Sequence, residues 1–569
     1  RPSDAPAAGR GASPTAPPPE RVKAKRAADP SLQLKGVSVQ YFNSTLLDEV
    51  EAVGLGRDAN VYDIEQDVIR RKGESAVCPR DGRMGSAYVD CLQGDSADRA
   101  TFMLSYTWGY TVGDIADTLA QHCHDTGMDG TRAYAWICCL CLNQHRVAER
   151  AAAGEAAPFE EFQQAFGERV ESIGQVVAMM APWRDPQYLK RVWCNFELYT
   201  AISLGAGSVA IAMPPREAED FREALLEGGV GEVWGALGGV RVEAAEASVP
   251  EDRANILRAI EEGPGFHRLN SAVAARLQVW IAEASEGHWR QRLQAGGAPR
   301  QSLALLGEGV GDLLRQVGLL DRSDDALRAA HDIRERTETL ATPAGANLLR
   351  SMGVVRAELG DMDAALESFD EARRIRQAAG ALATPDGARL EASIGVAMAK
   401  TGYVESALGA YEEALRIRQA TGTLETAEGA LLLVNIGNAR RQGGDSAGAL
   451  EAYEAARRIR EEMGTLATPE GARLMSDIGC IRGSQQDDPG GDLEAYGEAR
   501  RILELTGTFE TADGAAVLTA IGQAKVRHGD PIGALEDYES ARRIRELTGT
   551  IEKPEGVKLM GEIGALKFA

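Results

Sequence analysis

A repeat of 42 residues in the C-terminal half constrains this chain more than any other feature. Aligning the segments that open on Thr-Pro-x-Gly-Ala or a variant makes Pro343, Pro385, Ala427, Pro469, Ala512 and Pro554 successive equivalents, spaced 42, 42, 42, 43 and 42. The extra residue falls near Asp487-Asp488-Pro489. Each unit reads as a helix, a Gly-containing turn, a second helix ending in Ala-Arg-Arg-Ile-Arg or a near copy, and a loop of the type Thr-Gly-Thr-Leu-Glu-Thr. Two helices alone cannot bury their apolar faces, so such a period means units stacked on a continuous core. Pro suits a first helical turn, where its missing N–H has no partner to lose, and Thr342, Thr384 and Thr468 stand where N-caps belong. The Gly and Pro punctuation in every period and the lack of sustained heptads argue against a long coiled coil.

Small residues fall where paired helices must approach. Gly353, Ala365, Phe369 and Ala372 recur as Gly395, Ala407, Tyr411 and Ala414, as Gly437, Ala449, Tyr453 and Ala456, and as Gly522, Ala534, Tyr538 and Ala541. Small residues let the two helices of a hairpin sit together, and the aromatic is expected to fill the space toward the next hairpin. The fourth unit carries Asp492 at an Ala position, which predicts looser packing there. Asp370 with Arg374 and Glu454 with Arg458 are spaced as i,i+4 ion pairs on a solvated outer face.

This order of Gly, Ala, aromatic and Ala resembles the tetratricopeptide (TPR) pattern. The spacing of 42, longer than the usual ~34, and Arg416 to Leu424 (R-I-R-Q-A-T-G-T-L) are similar to the variant in kinesin light chains. The resemblance implies that the first helices of successive hairpins line a concave groove that takes a protein or peptide partner. Carried across position by position, it puts Asn347, Arg350, Arg389, Asn435, Asn438, Arg473, Asp477 and Gln523 on that surface. Amides there can hold an extended backbone, and the arginines can hold acidic groups.

At 569 residues the chain exceeds one hydrophobic core. Its formal net charge of -23 repels nucleic acid and anionic membrane and favours a basic partner. No apolar run reaches the roughly 18 to 20 residues needed to span a bilayer, and the 8 cysteines form no dense framework, so a cytoplasmic location is expected. Residues 1–35 are a Pro/Ala-rich segment that cannot build a core and read as a disordered tail.

Residues 36–297 have an α/β rhythm. Strands are expected at Thr101 to Tyr106, Tyr134 to Leu142, Gln175 to Met180, Ser208 to Met213 and Val240 to Ala245, with helices at Val112 to Cys123, Phe159 to Gly174, Leu189 to Ser203, Arg216 to Leu226 and Glu251 to Glu262. Continuous apolar strands separated by helices imply a parallel sheet covered on both faces. Ligands bind such sheets outside the carboxyl ends of the strands. Ser105 to Gly109, Asn143 to Arg146, Pro182-Trp183 and Lys190 to Leu198 would share that rim.

Ser-Tyr-Thr-Trp-Gly from Ser105, with W-I-C-C-L-C-L-N-Q from Trp136, resembles the fungal heterokaryon-incompatibility domain. Leu104-Ser105-Tyr106 with W-C-N-F-E-L from Trp193 resembles Toll/interleukin-1 receptor (TIR) domains. The resemblance implies a flavodoxin-like domain acting by self-association or, in catalytic members, cleaving the nicotinamide–ribose bond of NAD with a glutamate that corresponds to Glu197. Ser105, Tyr106 and Trp108 would then flank nicotinamide or ribose, and His145 or Arg191 would engage phosphates. Cys138 or Cys139 stands where these families often carry Asp. The competing reading of Glu197 is a helix-surface carboxylate paired with Arg191 or Lys190, and the non-catalytic reading is the first of the two. No cofactor is required, NAD being a substrate if anything. No metal is expected either: Cys138-Cys139-Leu140-Cys141 with His145, and His122-Cys123-His124, lack zinc-site spacing. No G-x-x-x-x-G-K motif occurs.

The chain thus reads as an α/β domain (36–297) closing at Gly296-Gly297, a worn first repeat (298–342), and a TPR solenoid (343–569). The expected function is a signalling scaffold or adaptor. NAD glycohydrolase and kinesin-light-chain-like cargo adaptor are the alternatives.

Overall fold

The computed structural model describes residues 34–153, 159–204, 208–227, 240–247, 250–263, 265–295, 299–484 and 490–568. Most of the Pro/Ala-rich tail, the Gly296-Gly297 joint and the Asp487-Asp488-Pro489 insertion lie outside the described residues. Among the described residues no helix is long and apolar enough to cross a membrane.

The first half is built on six strands: β1 (Lys35–Ser38), β2 (Ala97–Arg99), β3 (Phe102–Ser105), β4 (Tyr134–Ile137), β5 (Gln175–Met179) and β6 (Ser208–Ala212), in the order β2-β1-β4-β3-β5-β6. β4, β3, β5 and β6 are parallel, whereas β1 runs antiparallel to both β2 and β4. The sheet is therefore mixed, not the parallel sheet expected. Gly36 makes the added edge possible, since a Cβ there would stand 2.9 Å from the Ala135 carbonyl oxygen. Helical segments at 39–52 and 61–73 lie between β1 and β2, and the longer helices after β3 are α1 (Val112–Thr126), α2 (Gln144–Ala153), α3 (Phe159–Ile173), α4 (Val192–Ser203), α5 (Pro215–Glu227), α6 (Pro250–Glu262) and the long α7 (Phe266–Ala295). The parallel order changes direction between β3 and β5, which locates the crevice where doubly wound sheets take ligands.

Two expected strands are corrected. β4 stops at Ile137, and Cys138–Cys141 form one helical turn in which Ile137 N–H donates to Cys141 Sγ at 3.4 Å. A continuous apolar run cannot by itself distinguish strand from buried helix. Val240 to Ala245 form no strand: Val242–Ala244 are a tight turn, Asn270 takes the Val242 N–H at 3.0 Å, and Arg253 donates to the Glu243 and Ala245 carbonyls at 2.7 Å each. Side chains use the backbone groups that a ladder would need.

The second half stacks helical hairpins: α8 (Arg300–Gln316) with α9 (Leu320–Arg336), α10 (Pro343–Leu359) with α11 (Met362–Ala378), α12 (Pro385–Lys400) with α13 (Val404–Ala420), α14 (Ala427–Gln442) with α15 (Ser446–Glu462), α16 (Pro469–Arg482) with α17 (Gly491–Leu505), and α18 (Ala512–Arg527) with α19 (Pro531–Leu547); α20 (Pro554–Phe568) follows. This is TPR-type architecture. Thr342, Thr384, Thr426 and Thr468 each cap a first helix by accepting the N–H of the Gly three residues on, at 3.2 Å. That Gly is required by space, because a Cβ on Gly387 or Gly471 would lie 1.8 Å from the carbonyl oxygen of Leu382 or Leu466. The second Gly of each hairpin meets the aromatic: a Cβ on Gly395, Gly437 or Gly522 would be 2.4 Å from the ring of Tyr411, Tyr453 or Tyr538. In the first hairpin Gly311 meets Leu327 in the same way.

The last Arg of Arg-Ile-Arg is buried at Arg376, Arg418 and Arg545 and half-buried at Arg460. Arg376 and Arg418 donate to the Ala381 and Thr423 carbonyls of the loops that follow, fastening each hairpin to the next. The outer-face arginines do not make the pairs expected: Arg374 takes Glu371 and Arg457 takes Glu454, both at i,i+3, and Arg457 also reaches Glu461 at i,i+4. Asp492 does not loosen its repeat. It is buried and accepts from Arg527 (2.9 Å) and His528 (3.0 Å) of the next hairpin. Its two partners are partly exposed and return to water if released, so Asp492→Ala, which restores the residue of the other repeats, is expected to change stability by no more than about 1 kcal/mol. A denaturant titration checks this.

One hydrophobic core runs from the sheet through α7 into the first hairpin, including Ile281, Trp289, Val310 and Leu314. Trp289 Nε1–H donates to the Leu303 carbonyl at 3.0 Å, and Gly307 admits its ring. The two halves thus share packing across residues 289–310.

Candidate functional site

The W-C-N-F-E-L segment at the start of α4 divides its side chains between structure and site. Asn195 donates to the Leu189 (2.7 Å) and Arg191 (3.1 Å) carbonyls and fixes the entering loop. Cys194, Phe196 and Leu198 are buried, with Cys194 Sγ 3.6 Å from the Tyr106 carbonyl. Glu197 turns toward the end of β3. There Ser105 Oγ–H donates to Glu197 Oε2 at 2.5 Å and accepts from the Tyr188 hydroxyl at 2.7 Å.

Glu197 is therefore not the surface carboxylate paired with Arg191 or Lys190: Lys190 pairs with Asp185. Burial pushes the Glu197 carboxyl up to about 7, against the opposing pull of the Ser105 hydrogen bond and of nearby Arg169. Arg169 lies over the Trp136 ring, 4.5 Å from its centroid, and burial lowers its own affinity for a proton. Cys138 completes the surroundings: its Sγ accepts from Trp108 Nε1–H at 3.4 Å and lies 3.5 Å from the Tyr106 hydroxyl. Trp108 is half-buried and stacks on Tyr62 at 5.4 Å.

Ser105, Tyr106, Trp108 and Glu197 are thus gathered at one end of β3. The other expected rim residues are not. His145 Nε2 meets the Arg70 carbonyl at 3.0 Å and its ring packs on Gly85, while Arg146 pairs with Asp81, so this segment clasps the loop before β2. Arg191 is held through its backbone, bridging to Glu246 and accepting from Asn195. Trp183 is fully buried, with Nε1–H on Asp220 at 2.7 Å. Tyr188 and Arg169 were missed by sequence reasoning; the only signal was their place in segments leading to or flanking the motif. Beside the cluster a crevice of about 510 Å³ opens at the ends of β3, β5 and β6, between Tyr110, Pro182 and Glu217.

In the solenoid, the first helices of successive hairpins are joined side by side through polar pairs. Asn347 donates to Asp386 (3.4 Å), Arg389 to Glu428 (3.0 Å), Arg473 to Asp513 (2.8 Å) and Gln523 to Glu562 (2.7 Å). The ladder runs from the fifth position of one first helix to the second position of the next, with Gln523 a further link. Arg350 is tucked in, its Nη2 on Ser351 Oγ at 3.2 Å and its Nε without a partner. Asn438 Oδ1 accepts the Tyr453 hydroxyl at 2.7 Å. Among the described residues no hydrogen bond involves the Asn435 amide or the Asp477 carboxylate, both half-buried on the same face. Burial raises the Asp477 carboxyl above its ordinary value, with Arg441 opposing from beyond ion-pair distance.

Among the described residues the one group of potential metal ligands close enough to one another is His331, Asp332 and Glu335 on α9.

No protein-family model matches this sequence, and no curated protein matches it. Solved structures are similar in part. BtubC from P. vanneervenii is 19% identical, with 41% of this chain and 92% of that one covered at a TM-score of 0.35. A Podosopora anserina protein with kinesin light chain nearly identical TPR-like repeats is 15% identical, over 37% and 99%, at 0.32. A Rap protein solved in complex with Competence and Sporulation Factor is 11% identical, over 62% and 96%, at 0.35. At these scores the likenesses carry nothing about ligand or partner, and the repeat is assigned from its own hairpins.

Proposed function

We propose that this chain is an intracellular protein-interaction scaffold whose solenoid holds a peptide or protein partner along the face shared by its first helices, with the α/β half acting as a TIR-like effector or self-association module. The observation that carries the reading is the unsatisfied centre of that face. Most of its polar side chains are occupied by neighbouring repeats, yet Asn435 keeps a whole amide free beside Asn438. A peptide backbone presents the N–H and C=O that such an amide requires. Free thiols at all eight cysteines suit a reducing compartment.

The test is binding. The double variant Asn435→Ala/Asn438→Ala is expected to weaken peptide capture on a degenerate peptide array by at least about tenfold, because each lost hydrogen bond contributes about 1 kcal/mol. The melting temperature should stay within a few degrees. Unchanged capture would sink the reading.

A second reading is favoured by one observation of its own. The Ser105–Glu197 contact places a carboxylate with a raised pKa beside Trp108 and Tyr106 at a strand-end rim. A carboxylate there can stabilise an oxocarbenium-like centre, as NAD glycohydrolysis requires. Release of nicotinamide from NAD by the purified chain tests it.

A further inference from the structure

We infer that the solenoid's ligand is an extended basic peptide, with Asp477 and Glu562 each receiving a lysine or arginine side chain. This rests on the groove reading above and narrows it. The argument starts from which charges on the face are already used. Arg389 is neutralised by Asp386 and Glu428, and Arg473 by Asp513. Arg376 is spent on Asn347 and Asp386. These arginines hold the repeats together and are not available to acidic ligand groups, contrary to the expectation from sequence.

The carboxylates at the ninth position of the first helices are different. Asp477 occupies this position in α16 and, among the described residues, has no hydrogen bond or ion pair. Arg441, the cation that acts on it electrostatically, makes no ion pair with it and is turned to the Tyr453 hydroxyl. Glu562 occupies the same position in α20, two repeats on. Its Oε1 takes Gln523, and its buried Oε2, in a carboxylate that also lies beside the Tyr538 hydroxyl, has no hydrogen-bond partner within normal geometry. Asn435 is the ninth residue of α14, so one column carries a free amide, a carboxylate and, past Ala520, a second carboxylate with one unused oxygen. Half-buried carboxylates without partners are poorly solvated and gain most from an incoming cation. The chain's net charge of -23 draws the same kind of ligand in from a distance.

The experiment uses the full chain on a degenerate array of extended ten-residue peptides, read as residue enrichment at each position among bound peptides. The wild type is expected to select Lys or Arg at two separate positions. Asp477→Asn, which keeps the side-chain shape, should reduce the preference at one position by about tenfold or more and leave the other intact. Glu562→Gln should do the converse. Binding should weaken as salt is raised. Enrichment of acidic residues, or a basic preference that both variants retain, overturns the inference while leaving the groove reading standing. If the wild type enriches no peptide at all, both fall. Circular dichroism melts confirm that the variants are folded.

Discussion

Tyr453→Ala is expected to remove about 4 kcal/mol from the stability of the solenoid, the largest single loss foreseen for this chain. The ring is fully buried in the middle repeats, fills the space left open by Gly437, and hands its hydroxyl to Asn438 at 2.7 Å. Truncation leaves a ring-sized cavity between α14 and α15 and frees an amide acceptor. The reverse error, Gly437→Val, sets a Cβ where the ring edge already is, 2.4 Å away, and overpacking of this kind costs about 1–3 kcal/mol. The two changes act on one space. Combined, they are expected to lose at least about 1 kcal/mol less than their sum, because the valine partly fills the cavity that the alanine makes. Denaturant titrations of the four proteins measure this, and strict additivity would mean that Gly437 and Tyr453 are not a complementary pair. Because repeats depend on their neighbours, the damage should spread to the adjoining hairpins rather than remain local.

The same pair shows what the sequence could reveal. Gly and aromatic stand at a fixed separation in hairpin after hairpin, so the pattern was legible, but the ring was expected to face the next hairpin and instead packs on the Gly of its own. The first Gly of each repeat was visible but not its reason, since the close approach of the Leu382 or Leu466 carbonyl depends on how the preceding loop folds back. The burial of Arg376 and Arg418 was not foreseen, because a run of arginines carries no mark of which one turns inward. Asp492 was read as a packing fault, because its partners Arg527 and His528 lie more than thirty residues away. In the α/β half, four strands with continuous apolar runs were evident. β1 and β2 were not, being three or four residues long and carrying Lys35 and Arg99. The candidate site was half legible: motif resemblance pointed to Ser105 and Glu197, 92 residues apart. Tyr188 and Arg169 reach the cluster through loop and helix placement, which no spacing rule encodes. His145 was drawn in by its position after a strand and is instead claimed by a backbone carbonyl.

Glu197 gives the second large effect, and pH separates its two roles. Its carboxyl is held at about 7 in the folded chain against an ordinary 4.5. Between those values the native state binds the proton that the unfolded state has released, so stability falls as pH rises through this window and levels off above about 7. At about 1.4 kcal/mol per pH unit, the ionised form weakens the fold by up to about 3 kcal/mol, less where solvent reaches the rim. Glu197→Gln keeps an oxygen for the Ser105 hydroxyl and carries no charge. It should match the wild type near pH 4 and exceed its stability at pH 8 by about 1–3 kcal/mol. A constant difference across that range would show that the carboxyl is not held protonated. Catalysis makes the opposite demand, because an oxocarbenium-like centre needs the ionised form. Any nicotinamide released from NAD should therefore increase with pH, reach half its plateau near pH 7, and drop by at least about a hundredfold in Glu197→Gln. A variant that is more stable at pH 8 and inactive would identify a carboxylate kept at a loss to the fold for the sake of chemistry. A variant that is more stable while neither protein consumes NAD would leave Glu197 as a buried acid at the end of β3 and end the catalytic reading.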